Sequence, residues 1–366
     1  MVVAASIVVA LGAMTGAIRA LDDERGTDRT RPHASDATLL LPWPDVPTTL
    51  NSPSPKGSSS AHPKKTTTTG PTPKPPKITP SRLYRHSDSQ VLDWVRAHPD
   101  DPRTEVIESR IADQPEAVWF ADFTPSTITS RVRAVTSGAA AQGRVPVVVP
   151  YAIPDRDCGG ASEGGAPDFD AYDGWIDDFA AGLGSREVVV ILEPDSTAQA
   201  DCLSEAQRAD RFEALARAGR VLKAADPKAR VYYDAGHSDW NPAARQAALL
   251  KQAGAASAAS SDGIFSNVSN FHATSAEIAY DRQVLDALGG PAGLGAVIDT
   301  SRNGNGAPAD GQWCDPAGRK IGRAPTLSTG EARIDGYLWV KLPGESDGCR
   351  GAAGTFTASY AYDLAR

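Results

Sequence analysis

No CxxC pair, no two histidines at metal-ligand spacing, no G-x-G-x-x-G or Walker pattern after an apolar run, and no cluster of Lys and Arg occur in this chain. Without the glycine fingerprints, a doubly wound sheet built to bind a nucleotide lacks its phosphate cradle. The formal charge is -8 and the basic residues are dispersed, so nothing gathers to hold a phosphate backbone and no nucleic-acid partner is expected. The six histidines are scattered, so neither a metal nor a cofactor is expected. Cysteine itself is scarce. The four, Cys158, Cys202, Cys314 and Cys349, all lie beyond the Pro-rich N-terminal segment and read as disulfides rather than metal ligands. Four cysteines allow three pairings; spacing leaves them open, with 158/202 and 314/349 the simplest local loops.

The N-terminal run from Val2 to Ile18 is almost wholly apolar and stops at Arg19, yet no Lys or Arg precedes it. Its length suits a secretory core and falls near the lower limit for spanning a bilayer, while Ala17-Ile18-Arg19-Ala20 only loosely matches an A-x-A cleavage site. Residues 1–20 are therefore read as an export signal or, alternatively, as an uncleaved membrane tether through residues 2–18. The product is accordingly secreted or anchored at the cell surface. Residues 21–80 have few side chains that could build a core and are rich in Pro, Thr and Ser, which describes a disordered, extended linker open to O-glycosylation. Residues 83–366 form one catalytic-size domain, expected to be a monomer.

Within that domain Ser87-Asp88-Ser89-Gln90 suggests a capping box before a helix that Pro99 closes, and a short helix follows around Thr104 to Ala112. Seven apolar, β-branched runs come next: 117–123, 145–151, 188–193, 231–235, 264–270, 296–300 and 337–342. Helical periodicity fills most gaps, as in 168–183, 204–225 and 242–253. Repeated strand and helix imply parallel pairing with right-handed crossovers, so an α/β fold with a closed, TIM-like β/α barrel is expected in preference to an open sheet.

Barrel enzymes carry their chemistry just after the strands, and those positions here are polar. They are Tyr151 and Asp155-Arg156-Asp157; Glu193 and Asp195; Asp234 with His237; Asn267 and Asn270; Asp299 with Arg302-Asn303; and Lys341 with Glu345 and Asp347. A lone Asp after a strand is usually a cap or turn residue. Several on one rim raise one another's pKa values, so that one stays protonated near neutrality. A neutral acid that protonates a leaving oxygen while water attacks the opposite face is what glycosidic cleavage requires. Glu193 is expected to serve hydrogen bonding at the rim. Trp119, Trp240 and Trp313 near the rim offer indole faces to pyranose rings, whereas Trp94, Trp175 and Trp339 are assigned to the core. His237 is given a structural hydrogen-bonding role, and Lys341 is read as a charged partner for a carboxylate or sugar hydroxyl.

The blocks YAIPDRDC (151–158), ILEPDS (191–196), YYDAGHSDW (232–240), NVSNF (267–271), IDTSRNGNG (298–306), WCDPAGR (313–319) and YLWVKLPGESDG (337–348) together resemble glycoside hydrolase family six, the cellobiohydrolases and endo-β-1,4-glucanases. The resemblance covers about Leu83 to Arg366. It implies a distorted seven-stranded parallel barrel that hydrolyses β-1,4-glucans with inversion and takes such a polysaccharide as its partner. It makes Asp195 the proton donor. Asp157 then raises the donor's pKa and helps the water, Asp347 is the candidate general base, Asp234 supports binding and the charge network, and Tyr151 crowds the sugar ring. By the same comparison Ser162 guides the water, Trp119, Trp240, Asn270, Trp313, Lys341 and Glu345 line glucose subsites, and the bridges are Cys158–Cys202 and Cys314–Cys349. No block resembling a cellulose-binding module is visible. The short stretch after Asp347 points to an open cleft and endo action, with exo action or a non-catalytic glucan-binding protein as the alternatives.

Overall fold

The computed structural model describes residues 82–366, so the expectations for residues 1–20 and 21–80 lie outside the described residues. Seven strands form one sheet: β1 Val118–Phe120, β2 Val147–Pro150, β3 Val188–Leu192, β4 Ala229–Asp234, β5 Gly263–Ser266, β6 Gly295–Asp299 and β7 Ile334–Leu338. All six pairings are parallel, and the strands lie side by side in chain order. An order that never reverses is the winding of a barrel and excludes the doubly wound sheet, whose order turns back at a switch point.

The sheet curls into a half-barrel, and closure is looser than the sequence pattern predicts. No ladder joins β7 to β1. Instead Ala117 N–H donates to the Trp339 carbonyl at 3.0 Å and the Trp119 indole N–H to the Val340 carbonyl at 2.7 Å. With β1 only three residues long, little strand edge is left to pair.

Alternation along the strands separates two cores. On β3, Val188, Val190 and Leu192 pack outward with Trp175, Phe179 and Leu215 of the helical layer, whereas Val189 and Ile191 face an interior shared with Val149, Tyr232, Phe265 and Leu338. The outer layer consists of α3 Ile128–Ala141, α4 Phe169–Ala180, α5 Glu205–Ala225, α6 Ala243–Gln252 and α7 Thr274–Leu288, numbered after the N-terminal helices α1 Gln90–Ala97 and α2 Thr104–Ile107. Asp168 caps α4, and Ser204 and Gln207 form a capping box on α5. A third cluster, with Trp339 at its centre, joins α1 and the turn after α2 to the C-terminal helix α8 Ala358–Ala365.

Three expectations are corrected. The capping box across Ser87 to Gln90 does not form: Ser89 is the N-cap, accepting from Leu92 N–H, and Gln90 turns instead to Glu345 and the 354–356 backbone. The predicted strand over 264–270 stops at Ser266, because Asn267 and Ser269 adopt left-handed backbone (φ 66° and 59°) that no strand accommodates. The last strand starts earlier than predicted, at Ile334, and ends at Leu338.

Candidate active site

The strands end at one rim, and the backbone there is strained. Of the nine non-glycine residues with positive φ among those described, eight belong to rim loops: Asp155, Asp157, Cys158, Glu193, Asp195, Asn267, Ser269 and Asp315. Left-handed backbone costs on the order of 1 kcal/mol or more per residue, and such clusters persist where loops must aim side chains. Two disulfides hold the strained loops other than the one after β5. Cys158–Cys202 ties the loop after β2 to the loop after β3, and Cys314–Cys349 ties the loop after β6 to the segment after β7.

Over this rim lies a cavity of about 1280 Å³. Its lining includes Trp119, Tyr151, Asp157, Ser162, Asp195, His237, Trp240, Asn270, Trp313, Lys341, Glu345 and Asp347. Every candidate catalytic or sugar-binding residue except Asp234 is thus brought to one wall or another of the same space. Trp313 is 60 % exposed, the only large hydrophobic side chain so open among the described residues. An indole face left in water at a cavity mouth suits stacking on a ligand with an apolar face. Trp119 is half-buried and packs edge-on against the Tyr151 ring at 5.3 Å.

Asp195 is half-buried, and no protein donor reaches its carboxyl group among the described residues. Burial first, then Asp234 and Asp157, push its pKa up to about 8, so the group holds its proton at neutrality. Asp234 exerts this effect from behind the cavity. Its Oδ2 accepts from Thr197 N–H (3.2 Å), the Thr197 hydroxyl (3.2 Å) and Ala198 N–H (2.8 Å), and its Oδ1 accepts from Gly236 N–H (3.0 Å). With both oxygens engaged, Asp234 contributes charge and anchors the loop after β3, without facing a ligand.

Asp157 is part of a hydrogen-bonded relay. Its Oδ2 accepts from the Ser162 N–H at 2.7 Å and the Ser162 hydroxyl at 2.9 Å, and that hydroxyl lies 3.0 Å from the Tyr151 phenol. Burial and the Asp195 charge push the phenol further above its ordinary pKa, so it stays a neutral donor. Arg156 packs over the Tyr151 ring at 4.7 Å and donates to the Ser162 carbonyl, fixing this loop on both sides.

Asp347 sits across two cations. Its Oδ2 accepts from Arg302 Nη1 at 2.7 Å and from Asp315 N–H at 3.1 Å, while Lys341 Nζ lies 3.2 Å from its Oδ1. Arg302 is fully buried, reaches the Tyr360 hydroxyl and the Ser269 carbonyl, and stacks on Phe271 at 4.4 Å. Asn270 donates to the Val268 carbonyl at 3.0 Å and lines the cavity beside it.

Glu193 stands in a rim loop but, against expectation, its side chain turns away from the cavity. It is fully buried and outside the cavity lining, and its carboxylate accepts from Ala152 and Ile153 N–H at 2.9–3.0 Å. Burial pushes its pKa up to about 7 against those bonds. Its hydrogen bonding therefore splices β3 to the loop after β2 beneath the site. His237 stacks on His272 at 4.1 Å, and its Nδ1 accepts from Asp239 N–H. Burial and His272 push its pKa down to about 3, leaving it neutral.

Arg302 and Asp315 carry more of the site than their sequence context suggests. The strand-end rule collects Arg302 but gives it no partner; Asp315 falls outside the rule, and its signals are adjacency to Cys314 and its place in the block at 313–319. No group of His, Cys, Asp or Glu among the described residues is arranged to hold a metal ion.

A family model described as Glycosyl hydrolases family 6 matches residues 77–365. The chain is 52% identical over 284 residues to Endoglucanase 1 of Streptomyces sp. (strain KSM-9), covering 77% of each. It is 49% identical over 286 residues to Endoglucanase A of Thermobispora bispora, covering 78% of this chain and 62% of that one. Among solved structures it is similar to the endoglucanase of Mycobacterium tuberculosis in complex with a methyl-cellobiosyl-thio-cellobioside. There the identity is 40%, with a TM-score of 0.72 over 78% of this chain and 97% of that one.

Proposed function

The chain belongs to glycosyl hydrolase family 6, and on that premise we propose that it hydrolyses β-1,4-glucosidic bonds of cellulose or a related β-glucan, cutting at internal positions and inverting the anomeric carbon. The observation that carries this reading is the Asp195 carboxyl group, which lines a cavity walled by tryptophans without a protein partner and is kept protonated at neutrality by burial and the neighbouring aspartates. In this scheme Asp195 donates its proton to the glycosidic oxygen as that bond breaks. Water attacks from the other face, its proton passing by way of the Ser162 hydroxyl to Asp157. Asp347, fixed between Arg302 and Lys341, assists as an anion that opposes the positive charge growing on the sugar ring. Tyr151 crowds the ring at the cleavage point, and Trp119, Trp240 and Trp313 stack on the flanking glucosyl units. Internal cutting is supported by the relatives at 52% and 49% identity, both named endoglucanases.

Two disulfides among the described residues support an oxidising destination, so we propose that the protein is exported. Cell fractionation tests this; a fully cytoplasmic, reduced protein rejects it.

NMR of the products from cello-oligosaccharides tests the main reading, because one spectrum reports bond, position and anomer. Initial α-anomeric product is expected, together with rapid viscosity loss on carboxymethylcellulose. Initial β-anomer overturns inversion, viscosity that lags reducing-end release overturns internal cutting, and an inert protein overturns the enzyme.

A further inference from the structure

The cavity extends beyond the catalytic carboxylates to the segment before β1 and the start of α1, where one lining residue is unlike its neighbours. Glu116 makes no hydrogen bond and no ion pair with any described residue, and its Oε1 is sealed from solvent without a partner. An unpaired carboxylate in such a place is costly, whereas a neutral carboxylic acid is tolerated. The charged group that acts on it is Glu345, whose Oε1 accepts from Gln90 Nε2 at 2.7 Å. Lys341, the cation nearest Glu345 in sequence, is occupied by Asp347 and the Ser346 carbonyl, both at 3.2 Å. Of the other titratable groups along this stretch, the Asp88 carboxylate has no protein partner among the described residues, and the rest are engaged. Arg85 is held by the Ala112 carbonyl and Asp113, His86 by the Asp88 backbone, and Asp93 by Arg96. Two carboxyl groups therefore share one wall with no free cation between them.

With Oε1 sealed, the other carboxyl oxygen of this half-buried residue is the one left to meet a ligand: in the neutral acid it can donate its O–H to a sugar hydroxyl, whereas in the ionised form it only accepts. We infer that Glu116 is a specificity-determining residue of the cleft: in its neutral form it hydrogen-bonds a hydroxyl group of a glucosyl unit lying along Glu345, away from the bond that is cut. This rests on the cavity being a glucan cleft. Burial and then Glu345 push Glu116 well above the usual carboxylate range, and burial pushes Glu345 up to about 7, which supports the neutral form near pH 6.

The test is steady-state kinetics on cellotetraose and cellohexaose for wild type, Glu116→Ala and Glu116→Gln, from pH 6 to 9. Loss of one neutral hydrogen bond predicts that Glu116→Ala raises KM for cellohexaose about fivefold with kcat unchanged, and has a smaller effect on cellotetraose. Glu116→Gln keeps a donor and an acceptor, so it holds the wild-type KM at pH 6 and lacks the rise in KM that wild type shows toward pH 9. Wild-type KM in Glu116→Ala, or equal pH dependence in wild type and Glu116→Gln, overturns the inference. Should Glu116→Ala fail to fold, the comparison of wild type with Glu116→Gln decides alone. A wild-type protein that cleaves neither oligosaccharide sinks the proposed function; an active wild type with an indifferent position 116 sinks only this inference.

Discussion

Asp347 and Asp315 hold each other through reciprocal bonds: Asp347 N–H donates to Asp315 Oδ1 at 2.8 Å, and Asp315 N–H donates to Asp347 Oδ2 at 3.1 Å. Asp315 also accepts from the Ser346 hydroxyl and from Cys349 and Arg350 N–H. Burial alone would push its pKa up, but these donors outweigh burial and hold it below the ordinary value. A carboxylate that never reaches the cavity thus sets the position of one that lines it. Asp315→Ala leaves several buried donors without an acceptor, each worth roughly 1–3 kcal/mol. Misplacing Asp347 is expected to lower kcat by about 10–100-fold. Calorimetry and initial rates on carboxymethylcellulose check both, and a variant equal to wild type in each measure rejects the coupling.

The pH profile follows from Asp195. An acid that must be protonated to act, with a pKa of about 8, gives kcat/KM a limb that falls tenfold per unit above that pH. Asp157 helps raise that pKa, so Asp157→Asn removes a like charge and moves the limb to lower pH. The overall rate also falls, because the water relay through Ser162 is broken. A limb that stays in place, or moves up, contradicts the electrostatic coupling.

Stability is expected to run opposite to activity at the same residue. The folded pKa of Asp195 lies above its ordinary value of 3.8, so the folded state holds the proton more tightly than the unfolded chain. That contribution is fully present below about pH 4 and is lost as pH rises through 8. Asp195→Asn is neutral at every pH. It should cost about 10²–10⁴ in rate, yet melt at a higher temperature than wild type at pH 8, with the gap closing at pH 4. Equal melting temperatures at pH 8 would show that the carboxyl group is not destabilised by its surroundings.

How much of this was legible in the sequence depends on how local the signal is. The strands β2 and β3 announce themselves as runs dominated by valine and isoleucine, and the rim residues there follow because they stand directly after such a run. The aim of the Glu193 side chain was missed, because the left-handed φ of 47° there and 68° at Asp195 breaks the alternation that the strand pattern extends into the rim loop. The contact of Gln90 with Glu345 spans 255 positions, and no local pattern encodes it. The same holds for Asp315 and Arg302, whose meaning depends on partners from the far side of a helix-free stretch between β6 and β7.

The two disulfides offer a sharper separation of structure from chemistry. Their loops span 44 and 35 positions, so loop entropy assigns each about 4 kcal/mol, and removing either should lower stability by a similar amount. Their neighbours differ. Cys158 adjoins Asp157, which holds its place at φ 55° and bears on the pKa of Asp195, so Cys158→Ser with Cys202→Ser should shift the alkaline limb of the rate profile. Cys314 adjoins Asp315, and Cys349 donates to it through its N–H. Replacing that pair should therefore lower kcat while leaving the limb near 8. Both variants are measured at a temperature where each remains folded. If the two pH profiles are superimposable, the bridges serve stability alone and the coupling of each to its own aspartate is wrong.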